Sequence, residues 1–194
     1  MSPYCGEVLG IDKSAEMLSS RPKRPANVRF LQADLQLESI SIPRPASLVT
    51  IGRAIPYLDR SVVMPFMESA VGEQGAVLVR AAGMSNAVPW RSRYRALCAR
   101  YRKRKAAPGF GGRLFFADSR WKETRTIEIQ GVYRCRPEGI FRNALSHENL
   151  AEGILADKER FMLELRQILA PYQDVSGVIA FRGISWGVEY RRHE

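Results

Sequence analysis

The 194-residue sequence predicts an α/β fold in which helices cover both faces of a mostly parallel sheet. Strand-like and helix-like segments alternate from Val8 to Gly83, which is typical of parallel strands joined by helical crossovers. The segment "GAVLVRAAG" (75–83) is apolar almost without alternation, as expected of a strand buried on both faces. The length also favours one domain with a sizeable core.

The first predicted elements are a strand, a tight turn and a helix. Val8–Ile11 is an apolar run closed by Asp12, and Ser14 stands where the N-cap of the next helix is expected. The prolines of "SSRPKRPAN" end that helix. The next segment, "VRFLQADL", predicts a second strand that leads into Asp34.

The third strand and the second helix follow a polar, proline-containing connection. "SLVTIGRA" predicts a strand that runs into Gly52. Asp59 is the expected N-cap of the helix "RSVVMPFMESAVG", whose apolar residues recur at helical spacing and which should stop at Gly72. The fourth strand is "GAVLVRAAG", described above.

The alternation becomes irregular after Gly83. "RTIEIQGVYRC" predicts a strand, and "ENLAEGILADKERFMLELRQILAPY" predicts helical segments with a capping box at Asn149 and Glu152. The segment "SGVIAFRGISWGVEYRR" predicts one or two strands, most simply antiparallel at the edge of the sheet.

The net charge of +10 is concentrated in residues 91–105, where no acid interrupts the arginines and lysines. Residues 90–105 predict an amphipathic helix, because its apolar residues share one face: Trp90, Tyr94, Leu97, Cys98 and Tyr101. One interpretation is a nucleic-acid clamp in which Tyr94 and Tyr101 stack on bases. The favoured interpretation is a lid helix, because both tyrosines lie on the apolar face.

Composition also limits where the protein is expected to act. Cys5, Cys98 and Cys135 are odd in number and widely spaced, which favours reduced thiols over a disulfide framework or a zinc site. No apolar run approaches the ~20 residues that a transmembrane helix needs. No secretory signal is recognisable, so the cytoplasm is the expected location.

The predicted strand ends suggest a nucleoside pocket. Ligands of open parallel sheets bind outside the carboxyl ends of the strands. Asp12 at the first end can accept hydrogen bonds from a ribose diol, and Asp34 at the second can accept one from an adenine amine. Gly52 at the third end would let a ligand approach the backbone closely.

Three segments carry a resemblance to a known family. "GEVLGIDKSAEML", "NVRFLQADLQ" and "SLVTIGRAIPYLDR", in this order, resemble the second, third and fourth motif blocks of class I S-adenosylmethionine-dependent methyltransferases, especially the small-molecule group called type 11. The resemblance implies a Rossmann-like three-layer sandwich, S-adenosyl-L-methionine as cofactor and a small-molecule methyl acceptor. It divides the single domain 1–194 into a cofactor-binding half (7–83), a basic lid or insertion (84–123) and a substrate-side half (124–194).

The resemblance also implies cofactor contacts at the nucleoside end. Asp12 would bind the ribose, and Met17 would lie near the adenine face. Ala33, Asp34 and Leu35 would surround the adenine, with Asp34 accepting from its amino group.

At the methionine end of the cofactor, the resemblance implies that Gly52 and Arg53 form the floor of the pocket and Tyr57 a wall. Pro56 and Tyr57 stand where members of this group often have His-Trp, so a histidine role at that place is absent. His147 and His193 are the only histidines; metal binding is not expected, a general-base role for His147 stays open, and no catalytic residue is assigned.

The family's first strand and glycine-rich loop have no counterpart before "YCGEVLGID". That strand would lie between the strands ending at Asp12 and Gly52, so the sequence predicts an N-terminally truncated methyltransferase whose cofactor binding and activity are impaired. The alternative is a catalytically inactive relative that binds nucleic acid or another acidic partner.

Overall fold

The structure is a computed structural model that describes residues 4–19, 25–102 and 112–193. Its strands are β1 Val8–Asp12, β2 Val28–Gln32, β3 Ala46–Gly52, β4 Val71–Met84, β5 Trp121–Cys135 and β6 Ile179–Arg192. Its helices are α1 Ala15–Ser19, α2 Arg60–Ala70, α3 Arg91–Tyr101, α4 Gly112–Phe115, α5 Pro137–Leu145, α6 Glu148–Ala156 and α7 Lys158–Leu169. Short 3₁₀ turns span Ile55–Tyr57 and Ala170–Tyr172.

The described strands form two sheets. β1 and β2 pair in parallel, from Val8 opposite Val28 to Asp12 opposite Gln32. The other sheet has the order β3-β4-β6-β5, and β5 runs antiparallel to β6 along nearly its whole length. The expectation of a mostly parallel sheet is therefore wrong, since the larger sheet is mixed.

The position of β6 explains the mixed sheet. The backbone N–H of Ser85 donates to the carbonyl of Arg182, and Gly187 lies against Leu78, so β6 is antiparallel to β4 as well as to β5. The final segment is one antiparallel strand as predicted, but it lies inside the sheet, and β5 forms the edge.

The chain divides into two compact units, Met1–Val49 with Tyr57–Ala76, and Thr50–Pro56 with Val77–Glu194. The first unit contains β1, α1, β2 and α2. Its buried apolar residues come from the end of β2 and from α2 with the start of β4: Ala33, Val63, Met67, Ala70, Val71 and Ala76. The helix α2 begins as predicted, because Asp59 is its N-cap and accepts a hydrogen bond from the Ser61 N–H at 2.8 Å.

The second unit has its core among α3, α5, α6 and α7. The apolar face predicted for the basic helix packs into this core: Trp90, Tyr94, Leu97 and Cys98 are buried, and Tyr101 meets Phe161 edge-on with ring centroids 5.0 Å apart. The helix side of this core comes from α5, α6 and α7, with Ile140, Phe141, Ala144, Leu150, Ile154, Phe161, Leu165 and Leu169.

Some predicted boundaries shift. α2 ends at Ala70 and β4 starts at Val71, so the strand is longer than expected and begins before Gly72. Within β4 only Gly75, Ala76 and Val77 after the first residue are buried, so the expected burial on both faces holds for a short stretch alone.

The remaining sequence predictions concern the start of α6, the end of the basic helix, the cysteines and membrane spans. His147 is the N-cap of α6, so the cap lies two residues before the expected one at Asn149. Residues 103–105 of the predicted basic helix lie outside the described residues. All three cysteines are free thiols. No helix in the described part of the chain combines the length and apolarity needed to span a membrane.

Candidate functional site

In the first unit, the carboxyl ends of β1 and β2 meet. The backbone N–H of Ala33 donates to the carbonyl of Asp12 at 3.1 Å, so the two strand ends stay side by side. Asp34 follows at once and starts a turn, in which the Gln36 N–H donates to Asp34 Oδ1 at 3.0 Å. The Gln36 side-chain oxygen then accepts from the backbone N–H of Asp59 at 2.9 Å. These bonds link both strand ends to the start of α2.

The two predicted carboxylates have the same local arrangement. Asp12 Oδ1 accepts from the Ser14 N–H at 2.9 Å, and Asp34 Oδ1 accepts from Gln36. Among the described residues, the Oδ2 atom of each carboxylate accepts no hydrogen bond. Each carboxylate is therefore held in position by one oxygen and offers the other to a ligand.

The remaining predicted contacts of the first unit differ in exposure. Ala33 is buried, and Leu35 is half-buried in the turn after Asp34. Met17 on α1 is 59% exposed, and Tyr57 at the end of a 3₁₀ turn is 51% exposed. Large apolar side chains with this exposure are available for contact with a flat, apolar ligand surface.

In the second unit, β3 ends at Gly52, where an added Cβ would meet no atom within 4 Å. Arg53 follows with φ of 62°, in the left-handed region that non-glycine residues rarely occupy. This conformation costs about 1–2 kcal/mol in an L-residue. The Arg53 N–H donates to the carbonyl of Arg80 at 3.0 Å, which holds the strained residue beside β4.

The strained backbone of Arg53 accompanies a side-chain contact with His147. The guanidinium Nη2 of Arg53 lies 3.3 Å from His147 Nε2. Because a guanidinium only donates, Nε2 must be the acceptor, and the proton of a neutral ring is on Nδ1. Burial lowers the pKa of His147, and the charges of Arg53 and Arg102 lower it further. His147 is therefore a neutral imidazole near pH 7.

The arginines of α3 differ in their partners. Arg100 forms an ion pair with Glu164 of α7, which also accepts from Arg160 at 3.3 Å. Tyr94 is only 8% exposed, so it is not available to stack on a base. Burial also raises the pKa of Tyr94 above its ordinary range, which keeps the hydroxyl protonated. The apolar face of α3 therefore packs into the core of the second unit, and the role of this helix as a lid stays a prediction.

Another concave surface of the second unit has neither Arg53 nor His147 in its lining. It is a pocket of about 360 Å³ between the segment Ala87–Trp90 and the strand β6, with Trp90, Phe181 and Arg182 among its lining residues. Arg182 is its one charged lining residue. This pocket contains none of the residues predicted from the motif blocks.

The contact between Arg53 and His147 joins positions 94 residues apart in the chain. The sequence predicts that Arg53 lies near a cofactor and leaves a general-base role open for His147, but it predicts no contact between the two. Neither local spacing nor composition carries information about such a pair. A histidine next to a helix N-terminus was the one available signal, and it does not identify a partner.

The comparisons with known proteins identify the fold. No family model matches the sequence, and no curated protein matches it. The structure is similar to that of a proposed type II methyltransferase from Anaeromyxobacter dehalogenans, with a TM-score of 0.70 and 10% identity over 98% of this chain and 82% of the other.

A second similar structure is a proposed methyltransferase from Bacillus halodurans, with a TM-score of 0.52 and 13% identity over 100% of this chain and 86% of the other. At these identities the likeness concerns the fold and not the activity. The chain therefore shares the methyltransferase fold that its motif blocks implied.

Proposed function

We propose that this chain binds S-adenosyl-L-methionine and transfers its methyl group to a small-molecule acceptor. The observation that carries the proposal is the pair of carboxylates, Asp12 and Asp34, at the ends of neighbouring parallel strands in a fold shared with methyltransferases. Ligands of such sheets bind at strand ends of this kind.

The hydrogen-bond acceptors of the first unit suit the nucleoside half of the cofactor. Asp12 would accept from the ribose hydroxyls and Asp34 from the adenine amine, each through the oxygen left free in its turn. Met17 and Leu35 would supply apolar contacts near the adenine, next to the small side chain of Ala33. When bound, the cofactor supplies an electrophilic methyl group on a sulfonium.

The methionine end of the cofactor is a prediction from the resemblance alone, with Gly52, Arg53 and Tyr57 as its contacts. The acceptor would bind in the region 124–194, under the basic segment 84–123. Methyl transfer from a sulfonium is a direct displacement, so the main task of the protein is to orient the acceptor toward the methyl group. We assign no general base. Free thiols at Cys5, Cys98 and Cys135 agree with a reducing compartment, and we propose the cytoplasm.

We further propose that the 194-residue chain binds the cofactor only weakly unless an additional strand is present. Among the described residues, β1 pairs only with β2, and β3 pairs only with β4, so each has an open edge. Open edges of apolar strands are uncommon in stable sheets unless they are covered. A further strand followed by a glycine-rich loop would pair with an open strand edge and supply contacts to the methionine end of the cofactor.

The test is calorimetric titration with S-adenosylhomocysteine, on the 194-residue chain and on a version extended with a strand and a Gly-x-Gly loop. We expect weak or no binding to the first and micromolar binding to the second. Micromolar binding to the 194-residue chain would contradict the proposed impairment. Absence of binding to the extended chain would contradict the proposed function.

Asp12→Asn in the extended chain tests the carboxylate directly. Asparagine keeps the oxygen that accepts from Ser14 and is as good a cap as aspartate, so the turn should survive. Loss of the charged acceptor should weaken S-adenosylhomocysteine binding by about tenfold or more. Asp118→Asn is the matched control, because Asp118 is exposed at φ of 52°, which asparagine also adopts readily.

A binding protein for nucleic acid or another acidic partner is the alternative. The exposed arginines of α3, such as Arg93 and Arg95, favour it, whereas the burial of Tyr94 argues against base stacking. It would be supported by salt-sensitive retention on DNA or RNA that is lost in an Arg93→Gln/Arg95→Gln variant. Retention that is independent of these arginines would exclude Arg93 and Arg95 as the binding residues.

A further inference from the structure

The geometry points to a specific anion site in the second unit: we infer that Arg53 and His147, with Arg102, bind a carboxylate or phosphate group of the methyl acceptor. This inference rests on the proposed function for the identity of the ligand, but it assigns the Arg53 side chain to the acceptor and not to the methionine end of the cofactor. The contacts of the second unit define the site itself.

The first argument is the set of donors. Arg53 donates to Nε2 of a neutral His147, so this bond leaves the other N–H groups of the guanidinium and the Nδ1–H of the ring as donors. The side chains of Arg53 and His147 therefore have no free acceptor, because the single lone pair on His147 Nε2 already accepts from Arg53. A cluster of donors is complementary to a group that only accepts hydrogen bonds, and the carboxylate and phosphate groups of small metabolites form the strongest such bonds with cationic donors.

The second argument is charge. Arg102 lies at the C-terminal end of α3 and is close enough to lower the pKa of His147. Among the side chains that the structure describes, no carboxylate forms an ion pair with Arg53 or Arg102. In contrast, Arg100 on the same helix is paired with Glu164. Two cations near one imidazole repel each other, and a bound anion would relieve the repulsion.

The third argument is the backbone of Arg53. A left-handed arginine is retained only where neighbouring structure fixes it, and such residues occur often at ligand sites. Here the hydrogen bond to Arg80 fixes the main chain while the exposed side chain reaches His147. The contact with His147 restrains the guanidinium, whose planar fork of N–H groups suits recognition of a carboxylate.

The test uses the two histidines of the chain as reporters. Sodium acetate and sodium phosphate are titrated separately into the labelled 194-residue chain, with chloride keeping the ionic strength constant, and the imidazole signals are followed by NMR. We expect the His147 signal to shift saturably while the His193 signal stays in place. Equal, non-saturating shifts of both signals would overturn the inference, because they would indicate general screening.

Variants identify the residues that hold the anion. Arg53→Asn removes the guanidinium but tolerates a left-handed backbone, and Arg102→Gln tests the same site from a different element. Each should weaken anion binding by about tenfold or more, whereas Arg95→Gln on the exposed face of α3 should leave it unchanged. Parent-like saturation in both site variants would overturn the inference.

The source of the anion is tested by calorimetry in the extended chain. Equal affinities of parent and Arg53→Asn for S-adenosylhomocysteine support the acceptor as the source. A loss of about tenfold in the variant would overturn that assignment, because the carboxylate would then belong to the cofactor. If the parent does not bind S-adenosylhomocysteine, the proposed function and the acceptor assignment both fail. Saturation of the His147 signal would still demonstrate the anion site.

Discussion

Gly153→Ala should destabilise the protein even though alanine is the better helix former. Gly153 lies in α6, and a Cβ added there would stand 1.9 Å from the backbone carbonyl oxygen of Tyr101 at the end of α3. A backbone oxygen cannot rotate away, so the two helices would have to separate by about 1.5 Å to restore normal packing distances. The buried neighbours Leu150 and Ile154 would lose contacts with the core in the process.

The magnitude follows from two opposing effects. Overpacking of this kind costs typically ~1–3 kcal/mol, and the upper value applies because the obstacle is main chain. Replacing glycine by alanine in a helix returns ~1 kcal/mol. We therefore expect the free energy of unfolding to fall by about 2 kcal/mol, which corresponds to a Tm lower by about 4–8 °C in a chain of this size.

Urea denaturation followed by circular dichroism measures this difference. Gly131→Ala is the matched control, because an added Cβ at Gly131 in β5 meets nothing within 4 Å. That control should be neutral or more stable by about 0.5–1 kcal/mol. A Gly153→Ala variant as stable as the parent would refute the close approach of α6 to α3.

Three further predictions concern stability. Asp59→Ala should lower the free energy of unfolding by about 1 kcal/mol in urea denaturation, because α2 loses its N-cap. Leu165→Ala should cost ~2–5 kcal/mol because Leu165 is 0% exposed. Leu163→Ala, at 59% exposed, should stay within ~0.5 kcal/mol in the same assay. The pKa of His147 is lowered in the folded chain, so just below pH 6.5 the imidazole is protonated in the unfolded chain but not in the folded one. The free energy of unfolding should therefore decrease as the pH falls through this value. Urea midpoints measured between about pH 5 and 7.5 should show a smaller decrease in Arg53→Asn, because removal of that charge brings the folded pKa of His147 closer to the unfolded one.

Local chemistry explains the elements that the sequence predicted well. The cap at Asp59 acts on Ser61, two residues away, so the signal and its effect lie in one short segment. The apolar face of α3 was predictable because helical spacing brings Trp90, Tyr94 and Leu97 to one side, and burial follows from that arrangement. The end of β1 at Asp12 was predictable for a similar reason, since an acid cannot continue an apolar run.

Long-range pairing explains the elements that were predicted wrongly or missed. The sequence of β6 predicts that this segment forms a strand. Which strands it pairs with depends on the rest of the sheet, so its place between β4 and β5 could not be predicted from the segment itself. Its antiparallel direction made the sheet mixed. The approach of Arg53 to His147 depends on the same kind of tertiary arrangement.

The order β3-β4-β6-β5 also has a consequence for how the protein is made. During synthesis, β4 and β5 leave the ribosome before β6, although β6 is the strand that pairs with both of them. Until Ile179–Arg192 has emerged, the long strand β5 has no β6 partner, and β4 presents one open edge. Strands whose pairing partner comes much later in the chain fold slowly, and their exposed edges promote aggregation. Nascent chains stalled before Ile179 should therefore depend on chaperones far more than finished ones.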